Sequence, residues 1–521
     1  MSRLQAMLRF GFTHLEGWLD RAFGAAWNPL ANLGALGFFF YWIVAATGIY
    51  IYAFFDTSTT EAFRSVEALT HVQWYFGGIM RSLHRYASDG MVLVLVLHAV
   101  RELAFDRYRG ARWFSWLTGV PILWLVILSG ITGYWLVWDQ LAQYIAERST
   151  EWLDWLPIFG EPIARNFLST ERLSDRFFTL LVFLHIAIPL ILLLVLWIHL
   201  QRVSRPKINP PRGLAFGTFA SLMVLSLVKP ALSHGPADLA AVPAVLHFDW
   251  FYLGAYPFLD LFSAGEVWGA GVTLTVIMAA LPWLPPLRRA PAAEVDLANC
   301  NGCRRCADDC PFNAITMGPR TDGRPFEQQA VVRPSLCVSC GICAGACPTS
   351  TPFRRASALV PGIDLPHLPL REVRTRMEQA SAALAGPRPH VLIIGCDHGL
   401  KAARLASESV GVLDLPCIGM LPPSFLDYAI SRALADGVML MGCREGECHA
   451  RLGVEWTEGR LAGTRDPHLR RRVPRERIET VWAAPVDERN VAARLARFRG
   501  KLAALPASSA ATRSIVGSRA S

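Results

Sequence analysis

Residues 81–101 read RSLHRYASDGMVLVLVLHAVR. The stretch is long and apolar enough for a helix that crosses a bilayer, which needs about 20 residues. His84 and His98 lie fourteen residues apart in it. Fourteen residues of helix rise about 21 Å and return to within about 40° of the same face. One histidine therefore faces each membrane surface from one side of the helix. The same interval separates His185 and His199 in another apolar stretch. Two such helices running the same way set His84 against His185 and His98 against His199. That is the arrangement of two bis-histidine haems stacked across a membrane. An intramembrane histidine can instead bond a neighbouring helix. Polar groups at that depth are costly, and two pairs at one interval favour ligation.

Glycines repeat the interval at Gly34 and Gly48, and again at Gly119 and Gly133. They are expected to clear space for flat porphyrins, the alternative being ordinary small-residue packing between helices. Arg81, three before His84, and Arg101, three after His98, are expected to neutralise haem propionates or to mark the membrane boundaries.

The 521-residue chain is 52% apolar and only 18% charged, against about 25% charged in soluble domains. Its mean hydropathy is +0.30. Six spans are expected: 31–54, 79–103, 117–138, 177–200, 214–232 and 267–287, the fifth being short. Met1–Asp20 has no continuous apolar core, so no cleaved signal is expected there. The net charge is +9, and all but four of the 51 basic residues are arginine. No basic block with interleaved aromatics occurs, which argues against nucleic acid as a partner. Arginines follow the second span (Arg101, Arg107, Arg109, Arg112). Arg202, Arg205, Lys207 and Arg212 follow the fourth, and Arg288 and Arg289 the sixth. The segment between spans three and four is acidic instead (Asp139, Glu147, Glu151, Asp154, Glu161, Glu171, Asp175). The positive-inside rule then puts both termini and every cysteine on the cytoplasmic side of a bacterial-type inner membrane.

All twelve cysteines fall between Cys300 and Cys448. Cys300, Cys303, Cys306 and Cys310 are spaced C-x2-C-x2-C-x3-C-P, and Cys337, Cys340, Cys343 and Cys347 repeat the pattern. This is the bacterial two-cluster ferredoxin run, in which the fourth cysteine serves the other cluster. Cys300, Cys303, Cys306 and Cys347 are expected to hold one [4Fe-4S] cluster, and Cys337, Cys340, Cys343 and Cys310 the other. A zinc site needs four ligands in two pairs, which two complete repeats do not suit.

Further on, HVLIIGC (390–396) and GVMLMGC (437–443) are short apolar runs ending in Cys396 and Cys443, and VLDLPC ends in Cys417. An amphipathic helix is expected between the last two. Strand–helix–strand with cysteines at strand ends predicts a small parallel sheet with its site at the carboxyl edge. With Cys448, these thiols suffice for one [2Fe-2S] cluster. Any one of them taken alone is equally an ordinary buried cysteine. His398 and His449 are expected as alternative ligands or surface histidines.

Residues 27–290 resemble the cytochrome b of quinol–cytochrome c reductases. The resemblance rests on Gly34 and Gly48, Arg81-x-x-His84, His98-x-x-Arg101, the run from Gly133-Tyr134 to Trp138-x-Gln140, and His185 with His199. The loop PADLAAVPAVLHFDWFYLGAY at 236–256 resembles the segment that carries that family's Pro-Glu-Trp-Tyr quinol motif; here it reads Phe248-Asp249-Trp250-Phe251. The family's last two helices have no counterpart before Cys300. Residues 388–505 resemble the delta subunit of methyl-viologen-reducing hydrogenase, which joins hydrogenase to heterodisulfide reductase, through Gly442-Cys443-Arg444-Glu445-Gly446-Glu447-Cys448-His449.

The expected fold is multidomain. An all-α membrane bundle of about six spans (1–290) precedes a ferredoxin-like two-cluster domain (291–350), a linker (351–387), a small α/β parallel-sheet domain (388–505) and a disordered tail (506–521). The expected function is electron transfer between a cytoplasmic partner and the membrane quinone pool, through one [2Fe-2S], two [4Fe-4S] and two haems b. The resemblance implies a heterodisulfide-reductase-like flavoprotein as that partner. A second copy of the chain is also admitted as a partner, with membrane lipid. The same wire run from quinol to the soluble partner, and a docking or redox-sensing module without turnover, are the alternatives. Quinone is expected to react at the outer face near Asp249, Trp250 and Tyr252, with Asp249 carrying protons or, alternatively, being a solvated loop carboxylate.

Overall fold

Apolar stretches before residue 284 form long helices whose ends are set by turn chemistry. The computed structural model describes residues 3–158, 175–201, 206–243, 245–284, 290–353 and 359–506. Glu161, Glu171, Arg202, Arg205, Arg288, Arg289, the end of the sixth expected span and the 507–521 tail lie outside them. The chain divides into two units, one reaching to Leu284 and one from residue 290 onward.

In the first unit the helices are Arg3–Phe23, Leu33–Phe54, Ala62–His71, Ile79–Ala104, Trp113–Val137, Gln140–Asp154, Asp175–Leu200, Arg212–Val228 and Ala264–Ala280, with single turns at Trp250–Leu253 and Tyr256–Leu259. Four stretches are long and apolar enough to cross a membrane: Pro29–Phe54, Trp113–Val137, Phe178–Leu200 and Ala264–Trp283. The Ile79–Ala104 helix has 26 residues, about 39 Å at the helical rise, but carries Arg81, Arg85, Asp89, Arg101 and Glu102. The fifth expected span is a helix of only 17 residues. It stops at Val228, where Lys229 precedes Pro230 and the residue before a proline is pushed out of helical geometry. Trp138, at φ 52°, ends the 113–137 helix. Ser263 and Glu266 close a capping box that starts the last one.

The histidine-bearing 79–104 helix packs along the glycine-bearing 33–54 helix, and the histidine-bearing 175–200 helix along the glycine-bearing 113–137 helix. Leu190, Leu194 and Trp197 are exposed on one side of the 175–200 helix, a stripe at helical spacing suited to lipid tails.

The second unit begins with two small antiparallel pairs, β1 (Glu294–Val295) with β4 (Ile363–Asp364), and β2 (Ile315–Pro319) with β3 (Gln328–Val332). It continues with a four-stranded parallel sheet in the order β6 (Val410–Leu415), β5 (Val391–Cys396), β7 (Gly437–Gly442), β8 (Ile478–Trp482). Alternate residues of a strand face opposite sides. Val391 and Ile393 pack with Phe498 and Leu502 of the helix Glu488–Ala503. Leu392 and Ile394 pack with Phe425 and Leu426 of the helix Pro423–Ser431. That second core also contains Cys306, Cys343, Ala344 and Val373, so the cysteine runs and the sheet share one apolar interior.

Candidate functional site

His84 and His185 face each other with ring centroids 6.3 Å apart. An imidazole nitrogen binds a first-row metal at about 2 Å and lies about 1.1 Å from its ring centre, so two imidazoles across one metal have centroids about 6.2 Å apart. The observed pair fits one iron between them.

The other ring nitrogen is already engaged. His84 Nδ1 lies 3.0 Å from the Val44 carbonyl, and His185 Nδ1 3.0 Å from the Ser129 carbonyl. A carbonyl only accepts, so each Nδ1 carries its proton and each Nε2 is left as the lone-pair donor, the usual support of a metal-bound histidine. Threonine hydroxyls add a second acceptor: Thr47 for His84 (3.2 Å), Thr132 for His185 (3.1 Å) and Thr118 for His199 (2.9 Å). Each threonine donates its own proton back to its helix, to Ile43, Leu128 and Phe114.

Each of these threonines directly precedes one of the spaced glycines. A Cβ at Gly48 would lie 3.0 Å from His84 Cε1, and one at Gly133 2.9 Å from His185 Cε1. At Gly34 and Gly119 the distances, to His98 and His199, are 3.7 and 3.8 Å. The neighbours of all four glycines are thus imidazoles, and three of these, His84, His185 and His199, reach carbonyls of the glycine-bearing helix. The Thr-Gly dipeptides at 47–48, 118–119 and 132–133 stand in the sequence but go unread in a search for spaced glycines alone. Leu33 takes the corresponding place before Gly34.

Arg81 and Arg101 have partners within the protein. Arg81 bonds Glu67 (3.2 Å), Ser233 (2.6 Å) and Thr70. Arg101 Nε bonds the fully buried Glu16 at 2.6 Å. Both charges are therefore already opposed by a carboxylate.

The three outer-loop residues separate. Trp250 is 70% exposed. Tyr252 is buried, its hydroxyl donating to the Ser88 carbonyl at 2.9 Å. Its ring fills the space beside Gly130, where a Cβ would come within 2.1 Å. Asp249 is buried too. Its Oδ1 caps the turn at Phe251 N, and its Oδ2 accepts from Tyr134 at 2.5 Å and pairs with Arg85 at 2.9 Å. Arg85 also pairs with Asp89. Arg85, Asp89 and Tyr134 were not among the expected residues, although ionisable residues inside an expected span are themselves a functional signal.

The eight cysteines of the two runs line two cavities. One is bounded by Cys310, Cys337, Cys340 and Cys343. The other is bounded by Cys300, Cys303, Cys306 and Cys347. Each takes three thiols from one run and the fourth from the other. Among the described residues no three of His, Cys, Asp or Glu gather as they do on a single ion; these thiols stand around spaces. Burial pushes the Cys306 and Cys340 thiols up to about 12, so metal must displace their protons.

Cys396 ends β5, while Cys417 and Cys443 follow β6 and β7 at the same carboxyl edge. Cys396 and Cys443 Sγ atoms are 3.7 Å apart. Cys417 also interacts with Cys396 and Cys448, and Cys443 with Cys448. All four are buried. A Cβ at Gly453 would come within 2.2 Å of Cys417 Sγ, so that helix start approaches the thiols only as glycine. His398 and His449 stack on each other, with centroids 3.6 Å apart.

Comparison with known proteins falls into the same parts. Residues 21–205 match the family model described as cytochrome b/b6/petB. Residues 299–351 match that of a 4Fe-4S dicluster domain, and residues 389–506 that of the methyl-viologen-reducing hydrogenase delta subunit. A solved structure titled "Hyperthermophilic respiratory Complex III" is similar over 49% of this chain and 75% of that one, at 21% identity and a TM-score of 0.41. Haem b is implied by the first match and iron–sulfur clusters by the second. The chain is a multi-pass membrane electron-transfer protein in which a region similar to cytochrome b is followed by one similar to a 4Fe-4S dicluster domain and one similar to a hydrogenase delta subunit.

Proposed function

We propose that this chain is the quinone-reacting subunit of a membrane oxidoreductase, carrying electrons between a soluble partner and the quinone pool. The observation that carries the reading is that one chain holds an imidazole pair at the spacing for a shared iron and two cavities ringed by four thiols each. Haem iron and iron–sulfur clusters, when bound, accept and release single electrons.

His84 with His185, and His98 with His199, would hold two haems b. Thr47, Thr118 and Thr132 fix the ring orientation of three of the four. Cys300, Cys303, Cys306 and Cys347 would hold one [4Fe-4S], and Cys310, Cys337, Cys340 and Cys343 the other. Cys396, Cys417, Cys443 and Cys448 would hold a [2Fe-2S]. Six spans would put both termini and all clusters at the cytoplasmic face, the charge-bearing 79–104 helix and the short 212–228 helix adding to the four long apolar stretches.

Asp249 would carry protons to or from the quinone at the outer face, with Tyr134 and Arg85 orienting its Oδ2. Trp250, exposed beside it, offers an aromatic face to the quinone ring. The soluble partner is a heterodisulfide-reductase-like flavoprotein, docking on the 388–505 region.

The test is a redox titration of every centre in the purified full chain, followed by reduction by the partner with a quinone analogue present. Stepwise reduction of three clusters and two low-spin haems, with quinone turnover at the rate of partner oxidation, is expected. Centres that reduce without quinone turnover would assign the chain to sensing or docking instead.

A further inference from the structure

The thiols around Cys417 lie against one of the two cysteine cavities. Ile342, Cys417 and Ala450 form a small buried cluster, with Cys340 and Trp456 packed on it. The turn Ile418–Met420, which follows Cys417, rests on the helix Ile342–Ala346. A Cβ at Gly345 would come within 2.2 Å of the Gly419 carbonyl, and one at Gly341 within 2.7 Å of Met420 Cγ. Side chains at either place would drive the two thiol sites apart.

Three charged residues close this junction. Arg465 bonds Asp309 Oδ1 through Nε and Nη2, at 2.8 and 2.5 Å. Arg460 Nη2 bonds Asp309 Oδ2 at 2.5 Å, and its Nη1 donates to the Gly419 carbonyl at 2.8 Å. Trp456 Nε1 donates to the Asp309 carbonyl at 3.1 Å, and the Arg465 guanidinium lies over its ring. Only 1% of the Arg460 side chain is exposed, and its Nε has no hydrogen-bond partner among the described residues. Two guanidiniums, the buried Arg460 and the part-exposed Arg465, thus share one carboxylate, leaving a net positive charge beside the thiols. Such a charge is expensive to bury unless anions oppose it. Thiolate-bound iron–sulfur clusters are anions, and net charge nearby is one of the factors that set their potentials.

We infer that the Cys417 site exchanges electrons directly with the cluster of Cys310, Cys337, Cys340 and Cys343, and that Arg460 is the positioning residue whose charge favours the reduced state on both sides of that junction. The inference rests on the reading that both thiol sites carry clusters. The step is a one-electron transfer: one cluster loses an electron, its neighbour gains it, no bond forms or breaks, and Arg460 keeps its proton. The electron is supplied by any low-potential one-electron reductant.

The test uses the full chain in detergent, poised with dithionite and mediators and read by electron paramagnetic resonance. Arg460→Met should lower the midpoint potentials of the Cys417 and Cys340 clusters more than that of the Cys300 cluster, and Arg460→Lys should restore most of the shift. In wild type the signal of the Cys417 cluster should broaden when its neighbour is reduced, and this broadening should survive Cys300→Ser. Unchanged potentials in Arg460→Met with its clusters intact would overturn the inference, as would broadening lost in Cys300→Ser. If Arg460→Met loses its clusters, Arg465→Gln removes one charge while Arg460 still holds Asp309; it should give a smaller downward shift, and no shift would overturn the inference. Absence of any cluster at Cys396, Cys417, Cys443 and Cys448 in wild type would instead overturn the proposed function.

Discussion

The two units build their candidate sites in opposite ways. In the helical unit each proposed ligand comes from a long regular element, and the period of the helix places it. His84 and His98 need only an unbroken helix to face one way. Support for His84 comes from a single neighbouring helix, through a carbonyl, a hydroxyl and a glycine. In the cysteine unit the candidate thiols come from short turns and strand ends, and each cavity borrows its fourth thiol from the other run. Damage in the first unit should stay at one site, whereas damage in the second should spread.

The largest effect bears on that contrast directly. Cys347→Ser should destroy or convert the cluster whose other three ligands are Cys300, Cys303 and Cys306, measured by iron content and paramagnetic resonance. Loss confined to the Cys337–Cys343 cluster would break the crossover. His98→Ala should remove one low-spin haem and leave the other largely intact, read from the reduced-minus-oxidised spectrum. Loss of both haems there would mean that the helical sites are no more independent than the cysteine sites.

A glycine series sharpens the comparison within the helical unit. Gly133→Ala and Gly48→Ala put a methyl group about 3 Å from an imidazole carbon, tighter than ordinary contact. They should lower occupancy of the haem held by His84 and His185. Gly34→Ala and Gly119→Ala meet theirs at 3.7 and 3.8 Å and should be tolerated. Equal damage from all four would show that the glycines clear space for something other than the imidazoles.

Two smaller effects follow. Asp249→Asn should slow quinone turnover while both haems remain reducible by the partner. Full activity, with inhibition by a ligand mapped near His98 and His199, would move the quinone site to the cytoplasmic face. Thr132→Val removes one acceptor from His185 Nδ1 but leaves the Ser129 carbonyl, so the cost is that of one hydrogen bond, about 1 kcal/mol. A slight shift in one haem potential is expected; loss of the haem would make the hydroxyl the main tether.

Much of this organisation could be read from residue order, because periods and short spacings are local. The histidine interval, both cysteine runs and the strands ending in Cys396 and Cys443 are of this kind. A small parallel sheet follows from VLIIG and VMLMG, whose residues are buried on both faces, while its strand Ile478–Trp482 went unread. What escaped reading depends on distant partners. Asp309 and Arg460 are 151 residues apart, and nothing near either marks the other. Asp249 reads in sequence as a proton carrier or a solvated loop carboxylate, and nothing near it announces its burial against Arg85 and Tyr134. The shared core of the cysteine runs and the sheet is equally invisible in sequence, and it changes how the 388–505 region should be probed. Deleting that region would strip apolar cover from Cys343 and Ala344, so Cys443→Ser is the cleaner way to interrupt the third site.

The packing of Cys417 against Ile342 and Cys340 also bears on kinetic order. Both sides of that junction belong to one chain, so no encounter between them has to be repeated for each electron. Exchange there is unimolecular, with an effective concentration fixed by the fold rather than by expression level. Its rate should stay constant as the protein is diluted, whereas a rate limited by the soluble partner should fall in proportion.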